Sequence, residues 1–366
     1  MIKKKKLFAA IAVAAAVILG ASGCTVGSDS GTSSDSGSGS DSGAGTYQAG
    51  STMELFDAFD KAADAVKGKR IAFVPILFKG YTITNNWYNT IDRVLTSEGA
   101  QVKVYDSNFD TDVMVKTVDD IIAKKSADVL VLHNPDVGVL TKQIAAAKAA
   151  GIYTIVLNLH SNQLGDAFIG PNMYLAAKDI TTRATKDCEA NGGPKGLAII
   201  QGPGNDALSL QWEKGVNEVA KSAGFTVVAT SPTQWQQSQA QEAASSTIQQ
   251  QKGNFCAFMV AFDLNSIPVG DEVAAAVSRG DLKAGEVGVY TLGGDALWCD
   301  SLRAGKVTAT AAYDLQGLGE SVTTTIQQLL QRGEPAGAHP TVSFVAHTIV
   351  DKNNIDQVSM ACYKGQ

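Results

Sequence analysis

The sequence has little charge, and basic residues are scarcer than acidic ones. Only 18% of its 366 residues are Asp, Glu, Lys or Arg, whereas about 25% is average for a globular protein. The 30 Lys and Arg residues stand against 36 Asp and Glu residues, which gives a formal net charge of −6. An acidic chain has no electrostatic attraction for a phosphate backbone, so we expect no nucleic-acid partner.

Motifs for metal binding or catalysis are also lacking. The four histidines are scattered, without H-E-x-x-H or Cys/His zinc spacing, and no G-x-S-x-G follows residue 50. Only His160 lies where a ligand is expected. The segment from Gly202 to Ala207 fits G-x-G-x-x-A, but the next strand ends at Ser231 without the acidic residue that binds a ribose hydroxyl. We therefore predict no metal, no cofactor and no enzymatic activity.

No apolar run is long enough for an ordinary transmembrane helix. The first, residues 7–19, has 13 residues, and a bilayer needs about 20. It follows four lysines and precedes small residues and Cys24, a pattern typical of a secretory signal peptide over residues 1–23. The sequence Ala-Ser-Gly-Cys at 21–24 resembles the lipobox of bacterial lipoproteins, which implies that Cys24 is lipidated; the alternative is a plain signal peptide with an incidental cysteine.

Residues 24–50 have the composition of a tether. Between Thr25 and Thr46, 14 of 22 residues are Gly or Ser, so this stretch cannot bury apolar surface and is expected to be flexible and solvated. A lipidated Cys24 would hold the folded part at the outer face of the bacterial membrane, so we expect an extracytoplasmic, lipid-anchored protein.

From about residue 51, β-rich runs alternate with amphipathic helical segments. The predicted strands form two series, 70–76, 101–106, 127–133 and 152–158, then 196–202, 225–231, 255–261 and 287–293. Continuously apolar strands alternating with helices favour parallel sheets covered on both faces. The sequence therefore predicts an α/β fold of two doubly wound parallel-sheet lobes.

The order is less regular after residue 293, with β-rich runs at 306–313 and 341–350 and a helix between them. Such late segments indicate that the chain crosses between the lobes more than once, through a multi-crossover hinge. We assign residues 51–170 plus 314–342 to an N-terminal lobe and residues 171–313 plus 343–366 to a C-terminal lobe.

Polar and aromatic residues follow the predicted strands, at the sheet edge where open parallel sheets bind ligands. Lys and Arg do not cluster there, which favours a neutral, polyhydroxylated ligand, although Asn and Asp in such places also cap helices and form turns. The residues are Phe78, Tyr81, Asn85, Asn86, Trp87, Asp106, Asn134, Asn158, His160, Asn205, Asp206, Trp235, Asp263, Asn265, Asp295, Tyr313 and Asp314.

The order and spacing of several segments resemble the type I periplasmic binding proteins of the ribose- and galactose-binding group. These segments are IAFVPI, ADVLVLHNPD with LTKQIAAAKAAGIYTIVLN, IGPNMYLAA, QWEKGVNEVAKSAG and SLRAGKVTATAAYDLQGLG. The resemblance implies two lobes that close over a sugar or polyol, a monomer, and an ABC permease as partner. A sensor partner that presents a signal molecule, and an enzyme on the same scaffold, remain alternatives.

The resemblance also implies ligand-binding positions, and this chain departs from the family at most of them. An Asp of the family falls on Asn158, and two Arg positions fall on Leu159 and Trp212. The stacking Phe falls on Trp235. After the first strand, the implied contacts are Tyr81, Asn85 or Trp87. The family's Asn-Asp pair falls on Phe262-Asp263, so Asp263 keeps the acid. A further family Asp falls on Gly293, with Asp295 near enough to substitute for it, and a family Gln falls on Tyr313. The loss of both Arg positions argues against ribose itself.

Four cysteines follow Cys24, and an exported domain with an even number permits two disulfides in three connectivities. Cys188 precedes one predicted strand and Cys256 opens another of the same lobe. This placement favours a 188–256 pair and leaves Cys299 with Cys362; the alternative is four thiols.

Overall fold

A computed structural model describes residues 55–358 and residue 362. The predicted signal peptide, the lipidation site at Cys24 and the Gly/Ser tether lie outside the described residues.

Strands and helices alternate along most of this range. The strands are β1 (Arg70–Val74), β2 (Gln101–Val104), β3 (Val129–Leu132), β4 (Tyr153–Leu157), β5 (Ala167–Pro171), β6 (Gly196–Gln201), β7 (Thr226–Pro232), β8 (Ala257–Val260), β9 (Gly288–Gly293), β10 (Ala309–Tyr313), β11 (Thr341–Val345) and β12 (His347–Asp351). The helices are α1 (Leu55–Val66), α2 (Thr82–Ser97), α3 (Thr111–Lys124), α4 (Thr141–Ala149), α5 (Met173–Ala190), α6 (Ala207–Ser222), α7 (Gln237–Gln250), α8 (Asp263–Arg279), α9 (Cys299–Arg303) and α10 (Leu315–Arg332).

The described strands form two six-stranded sheets. The first has the order β11-β5-β4-β3-β1-β2 and the second the order β12-β10-β9-β8-β6-β7. All neighbours are parallel except β10 and β12. The predicted α/β fold of two doubly wound parallel sheets is confirmed.

The central strands are apolar because both of their faces are covered. All residues of β3, β6 and β8 are buried, and the helices cover them with apolar stripes. In α10, for example, Leu318, Val322, Ile326 and Leu329 are buried and recur every three or four residues, the spacing that places side chains on one face of a helix.

The chain passes between the two sheets at three places. These are the links from β5 to α5, from β10 to α10 and from β11 to β12. The last two lie side by side, because the Asp314 N–H donates a hydrogen bond of 3.2 Å to the Ala346 carbonyl. Three adjacent links of this kind are suited to a hinge, since few backbone dihedrals need to change for the two halves to move.

The structure differs from the sequence-based prediction at two points in this region. The run at 341–350 is two strands, with β11 in the first sheet and β12 in the second, so the predicted boundary between residues 342 and 343 falls inside β11. Strand β5 was not predicted. It is short, and it pairs with β4 and β11, whose positions are set by tertiary structure. The division into two moving lobes stays a prediction.

Two disulfides lie in the described part of the chain. Cys188, at the end of α5, is bonded to Cys256, just before β8, and Cys299 is bonded to Cys362. The first bond ties a crossover helix to the central strands of the second sheet. Their formation in the mature protein is still a prediction.

None of the helices in the described range is both long enough and apolar enough to span a membrane.

Candidate functional site

A cavity of about 500 Å³ lies between the carboxyl ends of the two sheets, within the usual size range for small-molecule sites. The lining residues come from both halves of the chain. They are Ile76, Tyr81, Ser107, Phe109, Asp110, Thr111, Met114, His133, Pro135, Asn158 and Leu159 from the half that holds the first sheet, and Met173, Pro203, Asp206, Leu208, Gln234, Trp235, Gln236, Phe262, Leu292 and Tyr313 from the half that holds the second. None of these described lining residues is Lys or Arg.

Aromatic rings form one corner of the cavity. The rings of Trp235 and Phe262 have centroids 5.8 Å apart and an interplanar angle of 81°, so two ring faces meet nearly at a right angle. Tyr81 and Tyr313 add two phenols. Burial is the main reason that the pKa of each tyrosine is raised, and the nearby acidic side chain of Asp263 adds to the effect. Both hydroxyls are therefore neutral and can donate or accept hydrogen bonds.

The backbone holds Trp235 in an uncommon conformation. Its φ is +59°, a left-handed conformation that costs a non-glycine residue on the order of 1 kcal/mol or more. The indole lies against Gly202 so closely that a Cβ there would be 2.1 Å from the ring. Gly202 is the first glycine of the G-x-G-x-x-A stretch, so in this protein that glycine makes room for an indole of the cavity wall.

Two polar side chains of the first half line the cavity and have buried atoms that lack partners within the described residues. Asn158 follows β4 with a φ of +65°, and its Nδ2 lies 3.4 Å from His133 Nε2. Within the described residues, neither Asn158 Oδ1 nor His133 Nδ1 has a hydrogen-bond partner, although both side chains are more than 90% buried. Burial lowers the pKa of His133 to about 3, so this imidazole is neutral. Such orphaned groups are costly unless a ligand or water satisfies them.

A buried carboxylate lies in the wall contributed by the second half. Asp206 caps α6, and its Oδ1 accepts hydrogen bonds from the N–H groups of Leu208 (2.7 Å) and Ser209 (3.0 Å). Burial raises the pKa of Asp206 to about 6, against the opposing effect of these bonds and of the nearby Trp235 side chain. The carboxylate therefore adjoins the aromatic corner and is mainly ionised at neutral pH.

Two more carboxylates lie behind the tyrosines, outside the cavity lining. Asp263 Oδ2 accepts hydrogen bonds from the N–H groups of Gly294 and Asp295, each 3.0 Å long, and its Oδ1 accepts one from Leu264. Burial, together with the charge of Asp295, raises the pKa of Asp263 to about 7. Gly293 is required here, because a Cβ at that position would lie 2.1 Å from the Asp263 carboxylate.

Four of the eleven ligand-binding residues predicted from the sequence line the cavity: Tyr81, Asn158, Trp235 and Tyr313. The other seven do not, because their polar groups stabilise the surrounding structure. They are Asn85, Trp87, Asp106, Asn134, Trp212, Asp263 and Asp295.

Three of these seven hold loops at the strand ends. Asn85 Nδ2 donates to the carbonyls of Phe78 and Tyr81. Asp106 accepts hydrogen bonds from two N–H groups of the loop after β1. Asn134 Nδ2 donates to the carbonyl of His160 at 3.0 Å. These are the turn and capping roles that the sequence left open as an alternative.

Two predicted aromatic contacts belong to the core instead. Trp87 and Trp212 are both fully buried. The indole N–H of Trp87 donates to the carbonyl of Leu315 (3.1 Å), and that of Trp212 donates to the carbonyl of Met259 (3.3 Å). Each lies on the inward face of a helix, and the sequence does not distinguish that face from a cavity wall.

Sequence reasoning also missed several lining residues. His133 lines the cavity, whereas His160, which we expected near a ligand, is not among the lining residues. His160 Nδ1 instead lies 2.9 Å from Gln211 Nε2 of the second half. Apolar lining residues such as Met114, Met173 and Leu292 give no sequence signal, because they look like ordinary core positions.

Direct contacts also join the two halves beside the cavity. The Asn205 side chain donates to Asp136 Oδ2, and Gln211 contacts His160 as described. Each pair has one member from each half, so the halves are in contact around the site. Among the described residues, no group of three or more His, Cys, Asp or Glu side chains is arranged to hold a metal ion.

A model of the family described as "Periplasmic binding protein domain" matches residues 71–335. The chain belongs to this family of periplasmic binding proteins. The resemblance inferred from the sequence is thereby confirmed.

Solved structures with the same fold are ABC-transporter solute-binding proteins. An Agrobacterium vitis protein bound with α-D-tagatopyranose is 17% identical, with a TM-score of 0.67 over 80% of this chain and 97% of its own. Another from that organism, with bound D-fucose, is 16% identical, with a TM-score of 0.69 over 80% of this chain and 100% of its own. A ribose transporter protein from Conexibacter woesei is 16% identical, with a TM-score of 0.68 over 80% and 95% of the two chains. Among curated proteins, none matches the sequence.

Proposed function

We propose that this periplasmic binding protein captures a sugar or polyol between its two halves and delivers it to an ABC permease. The observation that carries the proposal is the cavity of about 500 Å³, which both halves line with aromatic rings and with buried hydrogen-bonding groups. We further propose that it acts as a binding protein and not as an enzyme.

The lining suits a hydroxylated ring better than an anion. Aromatic faces such as that of Trp235 pack against the C–H surface of a sugar, while amides and hydroxyls bind its O–H groups. Asn158 Oδ1 can accept a hydrogen bond, and the phenols of Tyr81 and Tyr313 can accept or donate one. The lack of Lys and Arg among the described lining residues leaves no cation for a phosphate or carboxylate.

The solved relatives support the sugar or polyol class. The two Agrobacterium vitis proteins have α-D-tagatopyranose and D-fucose bound. At 16–17% identity, these ligands are a guide to the kind of molecule and do not identify it.

Closure follows from a ligand that touches both halves. A solute in contact with Asn158 on one side and Trp235 on the other binds the closed form more tightly than the open form, and therefore shifts the population towards it. The contacts between Gln211 and His160, and between Asn205 and Asp136, form only when the halves meet. The closed form would then be the one that docks on the permease.

The amino-terminal sequence supports a membrane-tethered location. We propose that Cys24 is lipidated and that the Gly/Ser stretch spaces the binding protein from the bilayer, since several acyl chains give a lasting attachment. The protein expressed with its leader should partition into the detergent phase, and Cys24→Ala should move it to the aqueous phase. Retention of the variant in detergent would contradict lipidation.

A thermal-shift screen with pentoses, hexoses, polyols and cyclitols tests the binding proposal. A ligand at 100 times its Kd stabilises the folded state by about 2.7 kcal/mol, which is readily measured. A hit should also change the fluorescence of Trp235 and should stimulate ATP hydrolysis by the cognate permease in vesicles. A screen in which no compound raises the Tm would contradict the sugar or polyol class.

A further inference from the structure

The cavity contains an imbalance of charge. Asp206 and Asp110 line it, and Asp136 is near enough to Asp206 to raise its pKa. Asp263 and Asp295 lie behind the tyrosines. Within the described part of the chain, none of these five carboxylates forms a salt bridge, and no described lining residue is a cation.

Asp206 differs from an ordinary helix cap in its surroundings. It is 3% exposed, and one of its oxygens, Oδ1, accepts both capping hydrogen bonds. Its side chain also contacts Trp235, whose ring meets that of Phe262 at 81°. A carboxylate that shares a cavity wall with two aromatic rings can bind an ammonium group, through a charge-assisted hydrogen bond and cation–π attraction.

The opposite wall offers further hydrogen-bonding groups. Within the described residues, Asn158 Oδ1 and His133 Nδ1 have no partner. Because Asn158 Nδ2 faces His133 Nε2, that nitrogen accepts and the neutral ring carries its proton on Nδ1, so the pair supplies one acceptor and one donor. Both side chains line the cavity and are more than 90% buried, which is an independent sign that the cavity is built for a ligand with polar groups.

We propose that the sugar or polyol bound in this cleft carries a protonated amine, which lies between the Trp235–Phe262 corner and the Asp206 carboxylate. The inference rests on the proposed function and specifies its ligand class as an amino sugar or amino polyol. The sequence predicted a neutral ligand because cations are lacking at the strand ends. The structure adds the buried Asp206 carboxylate in the cavity wall, which has no salt bridge within the described residues. It favours a ligand that brings its own positive charge, because a buried charge without a partner is costly.

Matched pairs of ligands test the inference. The pairs are D-glucose with D-glucosamine, D-galactose with D-galactosamine, and D-mannose with D-mannosamine, each with its neutral N-acetyl derivative as a control for size. Binding is measured by thermal shift and then by calorimetry at pH 7.5. We expect the amine of at least one pair to bind about tenfold or more tightly than both neutral partners, because hydrogen bonds to charged groups are the stronger ones.

Asp206→Asn locates the ammonium contact. Asn caps helices as well as Asp does, so α6 should remain intact while the charge is lost. The variant should lose the amine preference, so that the amine binds no more tightly than its neutral partners. Asp120→Asn, which removes an exposed charge on α3 outside the cavity lining, should keep the preference. An equal loss of affinity for amine and neutral sugar in Asp206→Asn would reduce Asp206 to a capping residue and overturn the proposed contact.

The remaining outcomes separate the two proposals. Neutral sugars that bind as tightly as their amines would overturn the amine inference and leave the sugar class intact. Tetramethylammonium or choline binding without any sugar binding would overturn the sugar class and keep the cation site. A panel in which no compound binds would overturn both.

Discussion

Trp87 provides the sharpest test of how aromatic residues are divided between core and cavity. Its position after the first strand suggests a ligand contact, but the structure buries it completely and bonds its indole N–H to the carbonyl of Leu315 at 3.1 Å. That bond joins α2 to the first turn of α10, immediately after the second link between the sheets. We therefore predict that Trp87→Phe lowers stability and leaves ligand affinity nearly unchanged.

The magnitude follows from two losses in the Trp87→Phe variant. The buried Leu315 carbonyl loses its hydrogen-bond donor, which costs about 1–3 kcal/mol. The smaller phenyl ring leaves part of the indole volume empty, which costs roughly 1–2 kcal/mol more. Together the free energy of unfolding should fall by about 2–5 kcal/mol. In a protein of this size each kcal/mol corresponds to roughly 2 °C, so the Tm should fall by roughly 4–10 °C.

Urea denaturation and calorimetry measure the two quantities separately. Unfolding of the wild type and of Trp87→Phe is followed by circular dichroism, and Kd is measured for the most stabilising compound of the thermal-shift screen. The affinity should stay within about threefold, because Trp87 reaches the cavity only through the His133 ring that it packs against. A stability change below about 0.5 kcal/mol with a tenfold loss of affinity would refute the reasoning and return Trp87 to the ligand site.

Three further predictions concern the cavity wall, the disulfide and the pH dependence. Trp235→Ala removes an aromatic wall, so ligand affinity should fall by about 30-fold or more in calorimetry, while the unfolding free energy changes by less than about 1 kcal/mol; the reverse pattern would place Trp235 in the core. Replacing both Cys188 and Cys256 by Ala opens a loop with a sequence separation of 68 residues, so urea denaturation should show a loss of about 4 kcal/mol, and alkylation with mass analysis should find no free thiol at these positions in the wild type. The folded-state pKa of Asp206, about 6, exceeds the ordinary value of 3.8, so its contribution to stability is complete below pH 3.8 and is lost as the pH rises through 6. Wild-type stability relative to Asp206→Asn should accordingly fall by about 3 kcal/mol between pH 3.5 and pH 7, and parallel pH profiles of the two proteins would contradict the burial of this carboxylate.

The fold was largely predictable because each half repeats one local pattern. Strands such as β3 and β6 are continuously apolar, and the helices between them have apolar stripes. The pattern failed at β5 and at the run over 341–350, where the sheet that a strand joins depends on its neighbours. Nothing local at Ala346 distinguishes the end of one strand from the middle of a longer one.

The site was less predictable because one residue type serves several purposes at a strand end. Asn134 and Asn158 both follow strands of the first sheet, yet the Asn134 amide donates to backbone carbonyls outside the cavity lining, whereas Asn158 lines the cavity. The difference lies in the φ of +65° at Asn158 and in its neighbour His133, and neither is visible in the sequence.

By itself, the sequence determined the family, the two-sheet architecture and the absence of known catalytic motifs, because these depend on periodicity, order and spacing along the chain. It also indicated an amino-terminal leader and a scarcity of cations at the strand ends. Tertiary structure alone decided that Trp235 lines the cavity while Trp87 and Trp212 fill the core, and that Asp206 is a buried carboxylate with no salt bridge among the described residues. These properties depend on which side chains from distant segments meet, and the proposal of an amino sugar in place of a neutral one rests on that meeting.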